Sequence, residues 1–266
     1  MNRIDQKFKD LAAAGQKALV VYITCGYPDI VTTEKLVLEL EKRGVDIIEL
    51  GVPFSDPLAD GPIIQEASGY ALKKKVNLKA IFSLVKRLRH KSQIPICLMG
   101  YYNPFLSFGR ERLVKEAVAS GVDGVIIPDL PPEEDRELVA LAKKVNLKTI
   151  FFVSPTSSLK RIAYLVKVST GFIYYVSLTG VTGARNTLPP DLAENIKTIY
   201  RYTKKPVCVG FGISRQEHIQ EVFKIADGAI VGSAVIKIIK ENIGKRNLVE
   251  KVGKFARKMI CMKNLY

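Results

Sequence analysis

The sequence predicts an α/β fold, a single-domain (β/α)8 TIM barrel over residues 1–266, on three observations. Eight short runs rich in Val and Ile recur along the chain, and nearly continuous apolar runs are typical of strands buried on both faces of a parallel sheet. Amphipathic stretches with helical spacing separate these runs. The length fits the ~250 residues usual for this barrel. An open doubly wound sheet is the alternative, but no GxGxxG motif follows a predicted strand.

The elements follow one another in a regular order. A short N-terminal helix comes first, because Ile4, Phe8 and Leu11 recur at helical spacing. The strands are predicted at 18–24, 45–51, 94–100, 122–128, 147–153, 171–177, 205–211 and 227–233. The helices between them are predicted at 30–44, 78–90, 110–121, 132–145, 157–169, 190–202 and 214–226. Several of these begin with Ser, Asp or Pro or end in Gly, as helix termini usually do.

Two connections are longer than the others. The strand starts at 45 and 94 lie 49 residues apart and those at 171 and 205 lie 34 apart, whereas the other steps are 22 to 28 residues. Extra length after a barrel strand lies at the carboxyl ends of the strands, where barrel enzymes keep their active sites. We therefore expect extended loops after strands 2 and 6 to form the functional site.

The charge balance is the unusual feature of the composition. A formal net charge of +15 raises the possibility of a nucleic-acid or acidic-membrane partner. Residues 237–266 carry nine Lys and Arg against two Glu, however, in a terminal helical stretch away from both long loops. The rest of the excess is spread over predicted outer helices, with no basic patch that interleaves aromatic residues. We therefore predict neither a nucleic-acid nor a membrane partner.

The metal, redox and compartment predictions rest on a few residues. Only His90 and His218 are histidines, both in polar helical patterns that predict surface positions, and no two of the four Cys have metal-ligand spacing. We expect no metal site, and reduced core cysteines. No apolar run reaches the ~18 residues of a membrane span, and charges occupy the N-terminal positions that a signal peptide needs apolar. A cytoplasmic location is expected, with a plastid stroma left open.

The loop after strand 2 carries two candidate carboxylates. Strand alternation places Glu49 on the same face as Ile47 and opposite Ile48 and Leu50, so it is expected to point into the barrel. Burial there raises the pKa of a carboxyl, which can then both give and take a proton near neutral pH. A Glu paired with a cation inside the barrel is the alternative. Asp60, before Gly-Pro, is either a functional carboxylate or ordinary turn chemistry.

Glycines follow the last two strands and also occupy the loop after strand 6. The segments 210–214 and 231–235 each place Gly immediately before a helical pattern, where backbone N–H groups open toward a helix N-terminus. That geometry binds phosphate, and barrels often use these two loops for it. Tight turns that need Gly for shape are the alternative. The glycines of 177–190 predict a loop that can close over a ligand. An ordinary flexible loop is the alternative.

These motifs together resemble one family. The segment ELGVPFSDPLADGP at 49–62 resembles the signature of the tryptophan synthase alpha chain, and the match continues through Gln65, Ala67 and the segments 180–183, 210–213 and 231–234. The resemblance covers essentially the whole chain in order. It implies a lyase of tryptophan biosynthesis that cleaves indole-3-glycerol phosphate to indole and glyceraldehyde 3-phosphate by a retro-aldol step.

The resemblance also implies roles for individual residues. Glu49 is implied as the acid/base, and Asp60 as the acceptor of the indole N–H that stabilises developing positive charge. The implied substrate-binding residues are Tyr22, Ile64, Met99, Tyr174, Thr182, Gly183, Gly212, Gly232 and Ser233. Some family members have Phe in place of Tyr22 and Leu in place of Met99. Residues that match a partner-facing surface are Pro53, Asp56, Asn103 and Pro131, for which ordinary loop roles are the alternative. Asp129 ends strand 4 at the same face and has either role.

The resemblance implies a protein partner but no cofactor in this chain. Members pair with a beta chain in an alpha2-beta2 heterotetramer, and pyridoxal phosphate is expected only in that beta chain. Another phosphate-binding TIM-barrel lyase or isomerase remains the alternative function. Such enzymes need a set of metal ligands, a His or a Lys that forms a Schiff base with the substrate. Lys148 and Lys205 are near the first residues of their predicted strands, at the end of the barrel opposite the expected site, so neither is placed for that role.

Overall fold

The computed structural model describes residues 1–176, 188–210 and 212–260, and they form a parallel β-barrel surrounded by helices. The strands are β1 Ala18–Thr24, β2 Ile47–Gly51, β3 Ile96–Met99, β4 Gly124–Ile126, β5 Lys148–Ile150, β6 Phe152–Val153, β7 Ile173–Val176, β8 Val207–Gly210 and β9 Gly228–Val231. Their order is β5-β4-β3-β2-β1-β9-β8-β7-β6, and every pairing is parallel. The predicted barrel fold is confirmed.

The fifth predicted strand is interrupted. Phe151 separates β5 from β6, and these two segments are the two ends of the strand order. β5 pairs with β4 and β6 pairs with β7, so the continuous chain through Phe151 closes the ring. Nine short strands therefore occupy the eight predicted barrel positions.

Helices connect the strands on the outside. They are α1 Arg3–Ala13, α2 Ile30–Lys42, α3 Pro62–Lys73, α4 Leu78–Arg89, α5 Tyr102–Phe108, α6 Arg110–Ser120, α7 Arg136–Lys144, α8 Leu159–Val168, α9 Leu192–Tyr200, α10 Gln216–Ile225, α11 Ser233–Glu241 and α12 Leu248–Ile260. Helices α3 and α5, in the connections after β2 and β3, were not predicted from the sequence. Helix α3 begins with Pro62 in its first turn after Gly61, where the missing N–H of proline costs no helical hydrogen bond.

Alternation along the strands separates two apolar layers. The barrel interior holds side chains such as Val20, Ile47 and Ile230, whereas their neighbours, such as Ile48, pack against the helices. Ile4, Phe8 and Leu11 of α1 are buried in the interior cluster at its amino-terminal end. The predicted N-terminal helix is thus confirmed, and it covers the end of the barrel opposite the carboxyl ends of the strands.

Three aspartates fasten neighbouring strands at that same end. Asp46, Asp123 and Asp227 each directly precede a strand and accept the backbone N–H of Leu19, Ile96 and Val207, at 2.8, 2.9 and 3.0 Å. Each aspartate also donates its own N–H to the carbonyl of the same residue, at 2.9 Å in all three cases. The carboxylates therefore fix the register between the first residues of adjacent strands. This is a structural role, and it lies at the amino-terminal end of the barrel, where residues generally serve stability.

The histidine prediction was half wrong. His90 is exposed after α4, as predicted, but His218 is buried because it shares the inward face of α10 with Ile219, Val222 and Phe223. Cys25, Cys97 and Cys208 are buried free thiols, as predicted, while Cys261 lies outside the described residues. No helix within 1–176, 188–210 and 212–260 is long and apolar enough to cross a membrane.

Candidate active site

A cleft lies at the carboxyl ends of the barrel strands, opposite α1. It brings together residues that are far apart in the sequence, from the ends of β1, β2, β3, β7, β8 and β9 and from the loop after β2. Its described lining consists of Tyr22, Glu49, Asp60, Gly61, Pro62, Ile63, Ile64, Met99, Tyr174, Gly212, Ile213, Ser214, Ile230, Gly232 and Ser233. This is the position at which barrel enzymes carry their active sites.

Glu49 is a buried carboxyl at the bottom of the cleft. It stands on β2 between Ile48 and Leu50, in register with Tyr22 on β1 and Cys97 on β3, and its side chain is fully buried. Within the described part of the chain neither carboxyl oxygen has a hydrogen-bond partner. Burial without compensation raises the pKa of Glu49 to about 8, because the charged form loses its hydration. The alternative of an ion-paired structural Glu is therefore not supported by its surroundings.

Asp60 enters the cleft from the loop after β2. Its N–H donates to the carbonyl of Pro57 at 3.0 Å, and the Gln65 side chain donates to the Asp60 carbonyl at 2.9 Å. Burial raises the pKa of Asp60 to about 6, and a hydrogen bond from Tyr101 acts in the opposite direction. Glu49 and Asp60 therefore hold different protonation states between about pH 6 and pH 8, the arrangement expected of an acid beside a fixed negative charge.

Two tyrosines reach into the cleft because glycines on neighbouring strands leave room for them. A Cβ on Gly51 would lie 2.2 Å from the Tyr22 hydroxyl oxygen, and a Cβ on Gly210 would lie 2.5 Å from the Tyr174 ring. Burial raises the pKa of both phenols, so each is a neutral hydrogen-bonding group at physiological pH. The side chain of Tyr175 packs in the outer layer, so Tyr174 alone of these two neighbours faces inward.

The opposite wall of the cleft is suited to an anion. Gly232 is the N-cap of α11 and Ser233 is its first residue, with no side-chain cap and no acidic residue in the first turn. Gly212 precedes α10 and adopts a left-handed φ of 79°, which favours glycine. The N-terminus of α11, where the helix dipole is positive, thus lies on the same cleft that Gly212 lines.

The structure places nine of the eleven residues implied by the family resemblance on the cleft. Thr182 and Gly183 lie outside the described residues. Of the residues considered for a partner-facing surface, Pro53 is buried, and four are exposed, namely Asp56, Asn103, Asp129 and Pro131. Leu58 projects beside Asp56 with 92% of its surface exposed.

Sequence reasoning missed several residues at the site. Ile63, Ser214 and Ile230 line the cleft, and Tyr101 lies behind Asp60. Ser214 follows the glycine motif after β8, so the phosphate argument applied there could have included it. No sequence signal pointed to Tyr101, since its importance depends on a contact with a loop forty residues earlier.

Comparisons with known proteins agree with this geometry. The family model described as "Tryptophan synthase alpha chain" matches residues 8–264. The tryptophan synthase alpha chain of Citrifermentans bemidjiense is 49% identical over 255 residues, which are 96% of this chain and 95% of that protein. The corresponding protein of Alkaliphilus metalliredigens is 46% identical over 265 residues, with 100% and 99% covered.

Solved structures show the same likeness. The crystal structure of tryptophan synthase subunit alpha from Legionella pneumophila superposes with a TM-score of 0.91 at 36% identity and covers 100% of both chains. A chain of Mycobacterium tuberculosis tryptophan synthase gives a TM-score of 0.91 at 31% identity, with 100% of this chain and 99% of that chain covered. The family model and these relatives match the chain along nearly its full length, and the barrel and the buried glutamate agree with them. The chain therefore belongs to the tryptophan synthase alpha chain family.

Proposed function

We propose that Glu49 and Asp60 carry out, in this chain, the lyase reaction of its family, the cleavage of indole-3-glycerol phosphate to indole and glyceraldehyde 3-phosphate in tryptophan biosynthesis. The observation that carries the assignment is the fully buried Glu49 carboxyl, which has no hydrogen-bond partner among the described residues and lies on the same cleft as Asp60. A buried carboxyl without a partner destabilises a fold, so its presence at a strand end indicates a catalytic use.

Glu49 is the proton carrier in this proposal. With a pKa of about 8 it is protonated at neutral pH and donates its proton to C3 of the indole ring. The resulting carboxylate takes the proton of the glycerol hydroxyl on the carbon next to the ring as the bond between that carbon and C3 breaks. The hydroxyl carbon becomes the aldehyde of glyceraldehyde 3-phosphate, and Glu49 returns to its protonated form. Each proton and electron pair is accounted for within the substrate and one carboxyl.

Asp60 stabilises the charge that this step creates. Protonation at C3 places positive charge on the indole nitrogen, and an ionised carboxylate that accepts the N–H hydrogen bond lowers the energy of that state. A pKa of about 6 keeps Asp60 ionised at neutral pH. The largely apolar walls formed by Ile64 and Met99 suit the indole ring, and the N-terminus of α11 with Gly212 suits the phosphate at the other end.

The partner and cofactor assignments are part of the same proposal. We propose that the chain pairs with a beta chain in an alpha2-beta2 complex, and that the exposed residues Asp56, Asn103, Asp129 and Pro131 belong to the docking face. The proposed reaction draws its acid, its base and its electrostatic stabilisation from Glu49 and Asp60, so no step of it calls for a cofactor in this chain. Pyridoxal phosphate chemistry would then belong to the beta chain.

Other phosphate-binding barrel enzymes are less well supported. A sugar-phosphate aldolase that works through a Schiff base needs a lysine in the cleft, and the described lining contains none. Lys148 pairs with Asp5 at 2.6 Å, and Lys205 donates to the carbonyls of Val166 and Ser169, all at the amino-terminal end. Within the described residues no three His, Cys, Asp or Glu side chains are grouped to hold a metal ion.

The direct test is indole release from indole-3-glycerol phosphate by the purified chain, with and without a beta chain. We expect indole and glyceraldehyde 3-phosphate in equal amounts from the chain alone, and a faster reaction when the beta chain is added. Triose and pentose phosphates serve as alternative substrates in the same assay. Turnover of one of these, with no indole from indole-3-glycerol phosphate, would overturn the proposal.

The pH dependence of kcat/KM should be bell-shaped. The active form carries an ionised Asp60 and a protonated Glu49, so activity rises as the pH passes about 6 and falls as it passes about 8. Rates measured on the isolated chain between about pH 5 and about pH 10 check this expectation. Asp60→Asn should lose the acid limb and keep the alkaline limb. A profile without an alkaline limb near pH 8 would contradict the role given to Glu49.

A further inference from the structure

The direction of the Asp60 carboxylate matters to the proposed reaction, yet its loop is an exposed turn. Leu58 and Ala59, immediately before it, are exposed. The backbone bonds of Asp60 to Pro57 and Gln65 fix its main chain but leave its side-chain torsions free. A carboxylate that must meet one N–H group needs a further contact to define its orientation.

Tyr101 supplies that contact. Its hydroxyl oxygen accepts the backbone N–H of Ala59 at 2.9 Å, which places the hydroxyl beside the next residue, and interaction with this hydroxyl lowers the pKa of the Asp60 carboxyl. A phenol has one proton to donate and can also accept, so with Ala59 as its donor the proton is directed to the Asp60 carboxylate. One hydroxyl thereby connects the backbone and the side chain of the loop after β2.

The Tyr101 ring is itself firmly held. Only 5% of its surface is exposed, and it contacts the Phe54 ring at a centroid distance of 5.5 Å. Tyr101 is the N-cap of α5, and the next residue, Tyr102, donates its N–H to Asp129 at 2.8 Å and its hydroxyl to Asp135 at 2.6 Å. The hydroxyl of Tyr101 is therefore presented from a rigid junction between β3 and α5.

We propose that Tyr101 is a positioning residue of the active site, which holds the Asp60 carboxylate toward the substrate through one shared hydroxyl. This inference rests on the proposed function, because it assigns Tyr101 to the reaction that Asp60 supports. Tyr101 does not line the cleft and is not assigned contact with substrate. It acts through Asp60, by preorganising the acceptor before the indole N–H arrives.

The electrostatic surroundings of Asp60 allow this role to be measured. Among the described residues, the buried phenols of Tyr22, Tyr101 and Tyr174 interact electrostatically with Asp60, and all three have raised pKa values and are hence neutral. Glu49 is protonated at neutral pH. The Tyr101 hydrogen bond stabilises the ionised carboxylate and so lowers the pKa of Asp60, which burial alone would raise further.

The test is the acid limb of kcat/KM in Tyr101→Phe, which removes the hydroxyl and keeps the ring. We expect the limb to move to higher pH by about one unit, so that kcat/KM falls about fivefold at pH 6 and about tenfold at pH 5. Tyr102→Phe is the matched control, because its hydroxyl bonds to Asp135 and its loss should leave the limb in place. In an Asp60→Asn background, Tyr101→Phe should change kcat/KM less than about twofold.

Two outcomes would overturn the inference. An acid limb that does not move in Tyr101→Phe, or an equal loss of kcat/KM in the presence and absence of the Asp60 carboxylate, would reduce Tyr101 to a packing residue. If Tyr101→Phe fails to fold, replacement of Tyr101 by 3-fluorotyrosine provides the second measurement. Its more acidic hydroxyl donates more strongly, so the limb should move to lower pH, and a limb that stays in place or moves upward contradicts the role.

Failure of this inference is distinct from failure of the proposed function. A wild-type chain that releases no indole would refute the function itself. A wild-type chain with a bell-shaped profile, together with a Tyr101→Phe variant whose profile is superimposable on it, would refute only the positioning role.

Discussion

Glu49→Gln is expected to lower kcat for indole formation by about a thousandfold. A glutamine amide matches the shape of the carboxyl but neither donates a proton to C3 nor accepts one from the glycerol hydroxyl, and general acid–base catalysis of this kind contributes about 10²–10⁴ in rate. The measurement is steady-state indole release, with Glu194→Gln, an exposed change on α9, as the matched control. Turnover within about tenfold of wild type would refute the assignment of Glu49.

A folding control separates lost chemistry from lost structure. The pKa of Glu49 is raised from an ordinary 4.5 to about 8, so between these values the unfolded chain is ionised while the folded chain stays protonated. The stability contributed by the neutral form is present below about pH 4.5 and is lost as the pH rises toward 8. Urea denaturation should therefore show a decline in wild-type stability over this range that is smaller in Glu49→Gln. A variant that is unfolded at every pH would show that Glu49 has a structural role instead.

Asp123→Ala should have the largest effect on stability, a loss of about 3–5 kcal/mol in the free energy of unfolding. The Asp123 carboxylate accepts the Ile96 N–H at 2.9 Å and pairs with Arg89 at 2.9 Å and Arg3 at 3.0 Å. The Arg89 side chain is only 10% exposed, so removal of the carboxylate leaves a largely buried cation without its counter-ion and a strand N–H without its acceptor.

Urea denaturation near pH 7 measures this loss. Asp10→Ala is the matched control, because Asp10 is exposed at the end of α1 and its change should alter stability by less than about 0.5 kcal/mol. If Asp123→Ala costs less than about 1 kcal/mol, the aspartate does not tie β3 to β4 as described. Activity per folded molecule should be unaffected, since Asp123 lies at the opposite end of the barrel from the cleft.

Strand periodicity was sufficient to predict the barrel and the orientation of its side chains. The alternation of Ile47, Ile48, Glu49 and Leu50 placed Glu49 inside, and the structure confirms this placement. Periodicity of this kind is a local property, since successive side chains of a strand point to opposite faces whatever the rest of the chain does. The same reasoning failed for α3 and α5, whose patterns are interrupted by loop-like residues such as Gly69 and Pro104.

The roles implied for Asp60, Tyr22 and Tyr174 needed the family resemblance, because their local sequence fits ordinary turns or core positions equally well. The assembled barrel then brings the loop after β2 over Glu49, and the glycines at 51 and 210 leave the space that the two phenols occupy. Sequence spacing does not reveal such spaces, since each depends on the register between neighbouring strands.

The sequence by itself determined the fold class, the two long connections and the inward carboxylate, because all three follow from local periodicity and spacing. Only the tertiary structure decided that Glu49 has no hydrogen-bond partner among the described residues, that Tyr101 reaches Asp60, and that Asp46, Asp123 and Asp227 join neighbouring strands. These are properties of groups that the closed barrel brings together from distant parts of the chain. Burial raises the pKa of Glu49 and hydrogen bonding sets the contacts of the others, and neither exists until the ring of strands is complete.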